Sequence, residues 1–163
     1  MTVTSVDSDL DNRTLTVIAD FAAPPDRVWQ LWADPRRLER WWGPPTYPAT
    51  VEDHDLTPGG DVTYFMTGPE GDVHRGWWRI TAVDPPKSLE FVDGFANDDG
   101  TPNTELPTTD IHMRLTDHDG GTRMELRSVY DSREQMEQVM SMGMAEGLRE
   151  SIGQIDALLA GAG

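Results

Sequence analysis

From Ser132 to Leu159, apolar residues recur every three or four positions: Met136, Val139 and Met140, Met144, Leu148, Ile152, Ile155, then Leu158 and Leu159. That spacing is one face of an α-helix, with Asp131 or Ser132 placed to cap its start. A stripe this long must lie against an apolar surface of comparable length. The chain offers one such surface. Between Thr14 and Tyr130 it reads as short alternating runs separated by turn residues, with strands expected at 14–21, 48–56, 61–67, 72–83, 88–95, 109–117 and 122–130. Pro58-Gly59-Gly60, Gly68-Pro69-Glu70-Gly71, Asp84-Pro85-Pro86-Lys87 and Asp119-Gly120-Gly121 punctuate them, and residues 96–107 form the one long loop. The expected class is therefore α+β, an antiparallel meander covered on one face by a long C-terminal helix.

Strands one and two are joined by something other than a hairpin. Pro25 opens a helix over 26–33 that turns Val28, Leu31 and Trp32 to one side, and Asp34-Pro35 ends it and caps a second short helix over 36–41. Trp41 and Trp42 close that second helix against Gly43-Pro44-Pro45. Rings of this size each bury roughly 150–250 Å², so they roof a core or line a pocket. Residues 1–13 read as a polar extension, and 14–160 as a single domain.

Charge excludes several partners. Lys and Arg number 13 against 29 Asp and Glu, a net charge of −16. Phosphate backbones and anionic membrane surfaces require clustered cations, so neither nucleic acid nor a membrane is an expected partner. No cysteine is present, which removes disulfides and thiolate metal sites. The N-terminal residues lack the basic and apolar regions of a secretion signal, and a cytoplasmic protein is expected.

The inward stripe of the last helix carries Met136, Met140 and Met144, interrupted by Gly143 and Gly147. Glycine inside a helix costs about 1 kcal/mol relative to alanine. Its presence here points either to close helix–sheet contact or to a void, and methionine is the side chain that adapts best to a variable occupant. Spacing alone leaves both open. Of the neighbours Trp77 and Trp78 on a strand, only one can face the covered side. His54, His74, His112 and His118 stand on separate strands without ligand spacing, so no metal and no cofactor is expected. Tyr64, Asp110, His112 and Tyr130 are candidates for acid–base chemistry, although alternation turns His112 away from Ile111 and Met113. Ser128, Asp93 and Arg79 are further polar groups that could orient a ligand.

Taken in order, Trp41-Trp42-Gly43-Pro44, Asp55-Leu56-Thr57-Pro58-Gly59-Gly60, Met66 with Gly68-Pro69-Glu70-Gly71, and Val83-Asp84-Pro85-Pro86-Lys87-Ser88-Leu89 form a recognisable series. Over residues 14–160 the chain resembles the START-like (SRPBCC) helix-grip superfamily. Within it, the chain is similar to the branch named after the C-terminal domain of the activator of heat-shock protein 90 ATPase. The resemblance implies a curved antiparallel sheet of about seven strands gripping the C-terminal helix around an elongated cavity.

The leading expectation is a binding protein for an apolar, aromatic or lipid-like small molecule. Its walls would be Trp41, Trp42, Tyr64, Met66, Trp77, Phe91, Met113, Met124, Met140, Gly143 and Met144, and Gly143→Leu would fill the space. A cyclase- or hydrolase-like enzyme in the same cavity is one alternative, and whether any reaction occurs is left open. A protein-interaction module, such as a chaperone ATPase regulator or a homodimer, is the other.

Overall fold

The computed structural model describes residues 3–161. In chain order the elements are β1 (Val3–Asp9), β2 (Thr14–Phe21), α1 (Pro25–Ala33), α2 (Pro35–Leu38), β3 (Ala49–His54), β4 (Asp61–Thr67) and β5 (Val73–Asp84). They continue with β6 (Ser88–Ala96), β7 (Thr109–His118), β8 (Gly121–Val129), α3 (Arg133–Ser141), α4 (Met144–Ile152) and α5 (Ile155–Gly161). The strands form one eight-stranded sheet in the order β1-β2-β8-β7-β6-β5-β4-β3, antiparallel throughout. This is the helix-grip arrangement expected from the sequence.

Two features differ from the sequence reading. Most of the segment read as a polar extension is an edge strand: β1 pairs with β2 from Val3 opposite Ala19 to Asp9 opposite Thr14. The sheet therefore has eight strands rather than about seven. Only Val3 and Val6 of β1 are partly covered, so its polar composition concealed the alternation. Residues 1–2 of that extension lie outside the described residues. The single long C-terminal helix is three shorter ones. Gly143 takes a left-handed φ of +85° and serves as the N-cap of α4, and a second break follows at Gly153. The apolar periodicity runs through both breaks because each segment still turns its stripe to the sheet.

The clasp of α1 and α2 is pinned at both ends. Asp34 accepts from the Arg36 amide at 2.9 Å, which caps α2. Glu39 accepts from the Val51 amide at 2.9 Å, and Arg36 donates to the Val51 carbonyl at 2.7 Å, tying α2 to β3. From the other side, Gln154 Nε2 donates to the carbonyls of Gly43 at 2.8 Å and Trp41 at 3.3 Å. The break between α4 and α5 thus holds the turn after the paired tryptophans.

Beneath the clasp lies an aromatic cluster. Trp32, Trp41 and Trp78 are fully buried, and Phe91 stacks on Trp78 with centroids 4.1 Å apart. Trp32 meets Trp41 edge-on at 4.8 Å, and Trp42 meets Trp78 edge-on at 4.9 Å. These offset and T-shaped contacts suit the ring quadrupoles and make one end of the interior solid.

Candidate functional site

The other end of the interior is open. A cavity of about 430 Å³ lies between α4 and the concave face of β4 to β8, within the usual size of small-molecule sites. Trp42 and Tyr64 close it toward the aromatic cluster, while Met144, Gly147, Leu148 and Ser151 of α4 form its roof. Val73 and Met142 stand at its rim, and they are the large apolar side chains found exposed among the described residues. A Cβ at either Gly143 or Gly147 would meet nothing within 4 Å, so the missing side chains leave space and bring no backbone closer.

Tyr64 reaches across the sheet because the residue opposite it in register is Gly76. A side chain at position 76 would collide with the tyrosine ring. The Tyr64 hydroxyl donates to Asp93 Oδ1 at 3.1 Å. Asp93 shares the inward face of β6 with Phe91 and Phe95, and among the described residues no cation forms an ion pair with it. Burial pushes the Asp93 carboxyl up to about 7, and the hydrogen bond from Tyr64 opposes part of that rise. Burial and the neighbouring Asp93 likewise raise the Tyr64 phenol well above its ordinary value, against the pull of the nearby Trp42 and Trp78 indoles. Tyr130 is pushed up to about 12, first by burial and then by Asp93. Its hydroxyl is buried without a partner, and so are the indole nitrogens of Trp42 and Trp78. Among the described residues, Thr109, Ser128 and Ser151 are three of the four buried neutral polar residues, and all three line this cavity.

The Asp93 environment predicts a pH effect on stability. The folded carboxyl holds its proton up to about pH 7, whereas an ordinary aspartate carboxyl loses it near 3.8. As pH rises through this window the unfolded chain releases the proton first, so Asp93 withdraws stability and the loss is complete above pH 7. Asp93→Asn should therefore melt above the parent at about pH 8, with the gap closing toward pH 4. At ~1.4 kcal/mol per pKa unit the gap is on the order of a few kcal/mol. Comparing two proteins at each pH cancels the opposing behaviour of carboxylates such as Asp20, which the hydrogen bond from Arg123 holds low. Parallel melting curves across that range would contradict the assignment.

The structure brings eight of the named candidates to the cavity: Trp42, Tyr64, Met66, Asp93, Ser128, Tyr130, Gly143 and Met144. The others lie elsewhere, each for a physical reason. Trp41 is buried in the aromatic cluster and donates to the Leu31 carbonyl at 2.9 Å, so Trp42 is the one at the cavity. Trp77 points to the opposite face from Trp78, lies across Gly94 and donates to the Phe95 carbonyl at 3.0 Å. Phe91 is under Trp78, and Met113 and Met124 are buried in the core outside the cavity lining. Met140 packs against the core, outside the cavity wall. Asp110 is exposed on the outer face, and His112 on the same face pairs with Glu90 at 3.0 Å. Arg79 is likewise outward, bonded to Asp61 at 2.8 Å.

Sequence reasoning missed Val73, Phe95, Thr109, Met142 and Ser151 as lining residues. Phe95 was recoverable by extending the alternation of Leu89, Phe91 and Asp93 by two positions. Met142 becomes a rim residue only through the helix break. Among the described residues no group of three or more His, Asp or Glu could hold a metal ion, and no helix is long and apolar enough to cross a membrane.

Comparison with known proteins agrees with this architecture. Protein Ms6760 from Mycobacterium smegmatis is 57% identical, with 96% of each chain covered and a TM-score of 0.90. A protein from Arthrobacter aurescens is 50% identical over 98% of this chain and 92% of that one, with a TM-score of 0.94. DynU16, a protein of the dynemicin biosynthetic locus, shares the fold at 19% identity and a TM-score of 0.65; the match covers 92% of this chain and 48% of that one. No curated protein matches. Residues 22–160 match the family model described as activator of Hsp90 ATPase homolog 1-like protein, and the chain belongs to that family.

Proposed function

We propose that the protein binds a small apolar or aromatic molecule in the cavity beneath α4. The observation that carries this reading is the coincidence of the cavity with Val73 and Met142, the large apolar side chains exposed among the described residues, at its rim. Apolar burial, at ~25 cal/mol per Å² before ordering costs, supplies the affinity. The polar cluster around Asp93 supplies orientation. A chaperone-regulating surface has less support, because Val73 and Met142, the large apolar side chains exposed among the described residues, stand at the cavity rim instead of forming a docking face.

Methionine methyl NMR tests the reading without a substitution. Titration with 2-methylnaphthalene should shift Met66, Met142 and Met144 saturably, because these line the cavity. Met113, Met124 and Met136, buried outside it, serve as internal controls. Shifts that follow the controls, or no shift in any methyl, would count against the cavity as the binding site. Native mass spectrometry of freshly purified protein adds the identity of any molecule it carries.

Acid–base catalysis in the same cavity is the second reading. Asp93 favours it, being an inward carboxyl whose ionisation is moved into the neutral range.

A further inference from the structure

The cavity contains a carboxyl group that the fold leaves half-used. Asp93 accepts one hydrogen bond, from Tyr64, whereas an ionised carboxylate can accept about four. Asp93 is half-buried at the cavity wall, and a carboxylate drawn partly out of water is favoured by a cation or further donors. Here the protein supplies neither. Arg75 of β5 borders the cavity, but its guanidinium is turned to Glu52 at 2.9 Å and lies 5.1 Å over the Phe65 ring. His74 of the same strand is bonded to Asp72 at 2.9 Å. Asp98, beyond the end of β6, adds a second acid to the lining. The α4 wall offers Met144, Gly147, Leu148 and Ser151, the β7 wall Thr109 and Ile111, and β8 offers Ser128, none of them ionisable. Tyr130 contributes a buried hydroxyl beside Thr109 and Ser128 that makes no hydrogen bond of good geometry.

We propose that Asp93 selects the occupant of this cavity: an apolar or aromatic molecule whose buried end is a hydrogen-bond donor, an ammonium or a hydroxyl group, and not a carboxylate. The proposal rests on the cavity-binding reading above and adds the chemistry of the ligand's polar end. A hydroxyl would donate to Asp93 and accept from Tyr130. An ammonium would donate to both and meet the aromatic faces of Trp42, Tyr64 and Phe95. A carboxylate would meet Asp93 and Asp98 in a chain of net charge −16, and no free cation in the lining would receive it.

Four naphthalenes of similar shape separate the possibilities: 2-methylnaphthalene, 2-naphthylmethanol, 2-naphthylmethylamine and 2-naphthoic acid, each titrated by calorimetry into the full chain. At about pH 8 the alcohol or the amine, or both, should bind more tightly than the hydrocarbon, and the acid most weakly. Because a donor prefers the ionised carboxyl, amine affinity should rise by about tenfold or more between roughly pH 5.5 and pH 8. Asp93→Asn should remove that preference and its pH dependence. Whichever of alcohol and amine gains more identifies the donor. Equal binding of hydrocarbon, alcohol and amine at pH 8, tightest binding of the acid, or a preference that survives Asp93→Asn would overturn the proposal and leave the cavity reading standing. Failure of all four to bind would overturn both. The wild-type pH arm needs no variant, so it decides the question even if Asp93→Asn folds poorly.

Discussion

Replacing Trp32 with alanine should lower the stability of the fold by about 3–5 kcal/mol, the upper range for truncation of a buried aromatic. The side chain is fully buried and lies within 6.2 Å, centroid to centroid, of Trp41, Trp42, Trp78 and Phe91. Its indole nitrogen has no hydrogen-bond partner, so the loss is one of packing and burial. Removing the ring leaves a void bounded by four large aromatics that cannot collapse without leaving their T-shaped contacts. Trp77→Ala is the matched control, because the same residue type is removed from the outer face of the same sheet. There the ring is only partly buried and makes one hydrogen bond, to Phe95, so about 1 kcal/mol is expected. Urea unfolding followed by circular dichroism avoids a signal that depends on the number of tryptophans. A Trp32→Ala cost near that of Trp77→Ala would mean that the cluster is not the rigid end of the interior. The same variant should also weaken ligand binding, since Trp42 closes the cavity and rests on Trp32.

How much of this was visible in the residues themselves depends on which physical rule wrote them. Period-two alternation is dictated by the pleat, so the strands from β2 to β8 fall within two residues of where their apolar residues and turns place them. The same rule sends His112 outward and Asp93 inward. Alternation fails for β1, whose one partner is β2 and whose faces are mostly wet. The breaks in the C-terminal helix were harder to see because the apolar stripe continues across them. Gly143 could be read as a gap in a helix face, but its role is conformational, and nothing local distinguishes it from Gly147. Where each tryptophan of a pair is held depends on hydrogen bonds to distant carbonyls. Trp41 reaches back to Leu31, ten positions away in the chain, and Trp77 reaches across to β6. Met113 and Met124 face inward as alternation requires, but alternation does not say which part of the covered face is packed solid and which is left hollow.

Filling the cavity from the roof should weaken binding of an apolar probe strongly while leaving the fold at least as stable, and the structure moves that test from Gly143 to Gly147. At Gly143 the φ of +85° is one that a leucine adopts only with strain of about 1–2 kcal/mol, so Gly143→Leu would damage the start of α4 and confuse lost binding with lost structure. Gly147 lies inside α4, lines the same cavity, and has nothing within 4 Å of where a Cβ would sit. Leucine is the better helix former at such a position by up to about 1 kcal/mol, and its side chain would project into the space that the ligand would take. Gly147→Leu is therefore expected to hold or raise the melting temperature and to weaken binding of 2-methylnaphthalene by about a hundredfold, which corresponds to ~2.7 kcal/mol of lost apolar contact. The paired readout separates the explanations. Unchanged affinity in a stable variant would place the ligand elsewhere on the protein. A drop in stability of more than about 1 kcal/mol would mean that α4 sits closer to the sheet than described, with the leucine forced against Tyr64 or Ser128.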